Sequence, residues 1–105
     1  MLMIDLALIP GGSLYLRGIK DLEANNLSEE ALLVLVAAPR LRRLGLSIPA
    51  YELSAESVEH RLYTSIELRL GTGAHSFYNS YIRLSVSFAR ALEREQSVHF
   101  LMANS

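Results

Sequence analysis

The chain has 105 residues, enough for one hydrophobic core and too few for two independent ones. Ten basic residues against eleven acidic ones give a formal charge of −1, which removes any general attraction for nucleic acid or anionic lipid. There is no cysteine, so disulfides, thiolate metal sites and a cysteine nucleophile are excluded.

Half of the residues are apolar and the mean hydropathy is +0.22. A domain this small leaves much of its surface in water, so that much apolar side chain predicts self-association.

The first stretch, Met1 to Pro10, is apolar but carries Asp5, lacks a basic leader and ends in Pro10, Gly11 and Gly12. That is a poor secretion signal, and a cytoplasmic protein is expected. Leu2 to Ile9 alternates, as do Val98, Phe100 and Met102 within Ser97 to Met102, which predicts a pair of short terminal strands. Leu14 to Ala24 reads as weakly helical. After Asn25 and Asn26, Ser28 can cap a helix whose first residues, Glu29 and Glu30, complement the positive end of its dipole. Ala31, Leu32, Leu33, Leu35 and Val36 make that helix apolar nearly all round, as suits a central position. Pro39 predicts a kink or a restart, with Arg40 to Leu44 as a short second segment ending at Gly45. The apolar run Ala31 to Pro39 falls well short of the ~20 residues that span a bilayer, and no membrane association is expected.

Two periods compete in the second half. Ala55, Val58, Leu62, Ile66 and Leu70 form one stripe at helical spacing, with Ser54 as cap and Gly71 as a left-handed stop. At period two, Leu62, Thr64, Ile66, Leu68 and Leu70 share a face instead. Phe77, Tyr81, Leu84, Phe88, Ala91 and Leu92 continue the helical pattern, against an alternation of Ile82, Leu84, Val86 and Phe88. Stripes that persist over residues 55–70 and 77–92 exceed the usual length of strands, so length favours helices. The expected fold is a mainly α, single domain over residues 1–105 with a helical hairpin of 54–70 and 76–94 and short terminal strands. The alternative is an α+β fold with an antiparallel hairpin within 60–90.

Candidate chemistry is sparse. Glu56 and His60 stand one helical turn apart but lack a third metal ligand, so no metal site is assigned. No serine occupies a nucleophile elbow, and neither a dinucleotide fingerprint nor a phosphate loop is present; no catalytic residue and no cofactor follow from the sequence. The densest polar stretch is Gly71, Thr72, Gly73, His75, Ser76, Tyr78 and Asn79. If a helix starts near Ser76, its free amides and the close approach that glycine permits suit a small anion, with His75 and Tyr78 as polar contacts. The same residues also serve as a plain connector between helices. Arg40, Arg42 and Arg43 form a basic cluster without an interleaved aromatic, so a solvated face is favoured over a nucleic-acid surface. The ranking that follows is a non-enzymatic homo-oligomeric module that meets a protein partner, then an anion-binding protein or small enzyme using 71–79, then a nucleic-acid contact through the three arginines.

Overall fold

A computed structural model describes residues 6–103, with the side chains of 55 and 99–103 left aside. Four α-helices follow one another: α1 (Gly12–Glu23), α2 (Glu29–Arg43), α3 (Ala55–Leu70) and α4 (Ala74–Ala103), with 3-10 turns at Leu6–Leu8 and Gly71–Gly73. No strand occurs among the described residues. The mainly α fold and its α3–α4 hairpin are therefore formed, and the antiparallel alternative over 60–90 is not.

The helix boundaries follow from local chemistry. Ser28 Oγ accepts from the Ala31 amide at 3.1 Å and donates to Asp21 Oδ2 at 2.6 Å, so the cap of α2 also clasps the end of α1. Ser54 Oγ accepts from the Ser57 amide at 3.1 Å to start α3. α1 and α2 end alike. Asn25 (φ 58) and Gly45 (φ 94) take the left-handed conformation, and the amides of Asn26 and Leu46 reach back to the carbonyls of Asp21 and Leu41. Leu46 and Leu41 are both buried, which supplies the apolar contact that accompanies this type of stop.

Two expectations are corrected. Pro39 does not restart the helix as a second segment, since α2 runs continuously through it to Arg43. Proline there deprives only the Leu35 carbonyl of an amide partner, while Ala37, Ala38 and Leu41 on either side are buried and hold both halves on the core. Neither terminal strand forms among the described residues. Residues 6–8 make a 3-10 turn and 97–102 belong to α4, because no glycine or proline follows Gly73 to stop a helix that Ala89 to Gln96 strongly favours. Residues 2–5 of the proposed first strand lie outside the described residues.

Helix α2 is the centre of the molecule, with Ala31, Leu32, Leu33, Val34, Ala37, Ala38 and Leu41 all buried. Its neighbours run in different directions. Arg69 meets Glu29 near the end of α3, whereas Arg40 meets Glu93 and Leu44 meets Gln96; α3 is thus antiparallel to α2, and α4 runs parallel to it. The stripes expected on α3 and α4 face inward at Val58, Leu62, Ile66, Phe88 and Leu92. Leu68 and Val86, which the strand reading would bury, are exposed.

Helix α1 closes on this arrangement at two points. A Cβ on Gly18 would lie 2.4 Å from the Glu30 carbonyl oxygen and 2.5 Å from Val34 Cγ2, so the backbones touch there. One turn earlier, the Tyr15 ring stacks on Phe88 with centroids 4.1 Å apart and planes 5° from parallel. Both rings are fully buried. Among the described residues the Tyr15 hydroxyl has no hydrogen-bond partner; burial pushes its pKa up to about 12, with the side chain of Ser85 nearby pulling the other way.

Two predictions follow from these contacts. Gly18→Ala gains up to ~1 kcal/mol of helix propensity, but the added methyl meets backbone that cannot move without separating α1 from α2. We expect a net loss of about 1–3 kcal/mol in urea denaturation; a melting point equal to or above wild type would contradict the contact. Tyr15→Phe keeps the stacked ring and deletes an unsatisfied hydroxyl, so it should stabilise by about 1 kcal/mol. The unfolded tyrosine ionises near 10 and the folded one near 12, so stability should fall as pH rises through that window. The phenylalanine variant should show a shallower fall over the same range.

Candidate functional site

The polar stretch at 71–79 joins α3 to α4. Gly71 is the stop of α3, at φ 63 and ψ −118, with its amide donating to the Glu67 carbonyl. Gly71, Thr72 and Gly73 form one exposed 3-10 turn, and α4 begins at Ala74 rather than near Ser76. His75 and Ser76 are therefore exposed residues of the first helical turn. The Ala74 amide is taken by the Gly71 carbonyl, and Asn79 Nδ2 lies 3.3 Å from His75 Nε2. Tyr78 turns away to place its ring edge-on to Tyr63, with centroids 5.3 Å apart. Burial first and Glu59 second raise its pKa. Of the seven residues, His75 and Asn79 are drawn together, while Tyr78 packs against Tyr63.

Nearby, the Arg69 guanidinium grips Glu29 with two contacts of 2.9 Å and lies 4.9 Å above the Phe77 ring. The bond to Glu29 raises the pKa of Arg69. This clamp fixes the end of α3 to the start of α2, a structural task. Among the described residues no group of three or more His, Asp and Glu side chains could hold a metal.

The arginine cluster is dispersed by the fold. Arg42 donates to the carbonyls of Ile48 and Pro49 and so fastens the segment after α2. Arg40 pairs with Glu93 at 3.1 Å, and Arg43 is exposed. Between α2 and α4 lie two hollows that share Arg40. One, of about 280 Å³, has Val36, Ile82, Ser85, Val86 and Ala89 among its walls; the other, of about 590 Å³, is bounded by Arg90, Glu93, Arg94, Ser97 and Val98. The sequence reading missed Arg83, Arg90 and Arg94, although their intervals of seven and four residues put them on one helix face. A third hollow, of about 330 Å³, opens between α2 and α3 beside Leu27, Leu32, His60, Thr64 and Leu68. None of these three is lined by residues of the 71–79 stretch.

Compared with known proteins, the chain matches no family model, no curated protein and no solved structure. What the site can do therefore rests on its own geometry.

The connector yields a prediction of opposite signs. A side chain at Gly71 would sit in a conformation that L-residues rarely adopt, while the space around both glycines is open. Gly71→Ala should cost about 1–3 kcal/mol, and Gly73→Ala should be neutral or mildly stabilising. Thermal denaturation of the two variants checks this, and equal effects would show that Gly71 is not held at positive φ.

Proposed function

We propose that this chain is a non-enzymatic, homo-oligomeric interaction module. The observation that carries the reading is Leu68, 85% exposed on α3 at the edge of the hollow that Leu27 and Leu32 help to line. A protruding apolar side chain beside a recess is the self-complementary pattern that a twofold contact uses, each copy's leucine entering the other's recess. Further apolar surface at Leu8 (82% exposed) and Leu70 (38%) adds to what association would cover. The absence of cysteine from the chain is compatible with a reducing compartment, and the cytoplasm is the proposed location. No helix among the described residues is long and apolar enough to cross a membrane.

Sedimentation over a range of concentrations tests the reading. The mass should rise above the 11.7 kDa of one chain as concentration increases. Leu68→Glu, an exposed change that leaves the core alone, should weaken association about tenfold or more, since a buried leucine contributes ~2 kcal/mol per copy. A wild-type chain that stays monomeric at every concentration would remove the proposal.

A further inference from the structure

The formal charge of −1 conceals a separation of sign. The segments Arg40–Arg43 and Arg83–Glu95 hold six of the ten basic residues and two of the eleven acidic ones, a local charge of +4, while the rest of the chain carries −5. The fold lays these two segments side by side, because α2 and α4 run parallel and Arg40 reaches Glu93 between them. Arg42 is spent on the carbonyls of Ile48 and Pro49. Among the described residues Arg43, Arg83, Arg90 and Arg94 form no ion pair.

The surface between these arginines is not polar. Val36, Ile82 and Ala89 line the first hollow together with Val86, which is 40% exposed, and Val98 at the far end of the second is 49% exposed. Arg83, Arg90 and Arg94 fall within about 40° on the outer face of α4, at successive rises of about 10 Å and 6 Å. Arg43 stands across the groove on α2.

We infer that this groove binds an acidic amphipathic helix of a partner protein, whose apolar stripe rests on the exposed valines and whose carboxylates meet the arginines on either side. Two parallel helices leave a trough that a third helix fills, and the span from Arg83 to Val98 accommodates about four turns of it. The arginine intervals match carboxylates spaced seven and four residues apart on the guest. A guanidinium takes a carboxylate through two parallel hydrogen bonds, which fixes the guest's register as well as its sign. A nucleic-acid strand fits less well. No aromatic lines the groove for a base to stack on, and phosphates would leave the apolar floor facing water.

This inference goes beyond the self-association proposed above and uses a different surface, so the two can fail separately. The test is fluorescence anisotropy of a labelled synthetic peptide of about four helical turns, leucine on one stripe and glutamate on both flanks. A scrambled peptide of the same composition and a single- and a double-stranded DNA oligonucleotide serve as comparisons. The ordered peptide should bind on the order of micromolar, at least tenfold tighter than the scrambled one and than either DNA, and weaken with added salt. Arg90→Glu with Arg94→Glu should abolish binding without changing the circular dichroism spectrum, whereas Lys20→Glu should alter it less than twofold. Should the double reversal disturb folding, Arg43→Gln and Arg83→Gln, both on exposed residues, should each weaken binding severalfold. Equal binding of ordered and scrambled peptides, or tighter binding of DNA, would overturn the inference. So would peptide binding that is lost in Leu68→Glu, which would assign the groove's function to the assembled oligomer.

Discussion

Helix α1 can approach α2 only because residue 18 has no side chain. The Glu30 carbonyl and the Val34 methyl occupy the space a Cβ would need, and this fixes both the separation and the register of the two helices. Several contacts depend on that register. The Asp21 carboxylate reaches the capping hydroxyl of Ser28, Arg17 comes within 3.8 Å of Glu30, and Tyr15 is carried past α2 to stack on Phe88 of α4. One backbone contact thus determines how the first helix meets the last.

Around this contact the polar groups divide into two kinds of work. Glu29, Asp21, Ser28, Arg42 and Arg69 are bound up in joining one element to the next, so the four charges among them are unavailable to a ligand. The arginines on the outer face of α4 make no such joints. In a chain of nearly balanced charge, the ion pairs used for assembly leave an excess of unmatched cations along one groove. Arg40 and Glu93 are the exception there, an exposed pair at 3.1 Å of small energetic value.

Much of the fold was legible because helix signals reinforced one another. Ser28 and Ser54 cap where their hydroxyls were expected to, and Gly71 stops α3 at positive φ. The sixteen-residue stripe of α3 prevails over the alternation that would have paired Leu68 with Ile66. Pro39 misled because its effect is local, one lost hydrogen bond, whereas the burial of Ala38 and Leu41 is decided by the whole core. The terminal alternation misled because a pattern of three apolar residues is shorter than the helical momentum of the segment before it. The arginine groove was hidden for a different reason. Arg40 and Arg43 lie some forty residues from Arg83 in sequence, and only the parallel packing of α2 and α4 brings their charges onto one surface.

The length of α4 has a consequence for how the molecule opens. At 30 residues it extends about 45 Å, nearly the 51 Å length of the whole molecule, and α2 flanks it from about Ile82 to Val98. The middle turns, around Phe88 and Leu92, are locked into the common core and can exchange their amide hydrogens only when the whole domain unfolds. The exposed first turn, at His75 and Ser76, lies ahead of the stretch that α2 flanks, so its backbone bonds open in smaller, local events. A single continuous rod therefore holds two regimes of motion, a slow one at its centre and a faster one at its first turn, separated by about three turns.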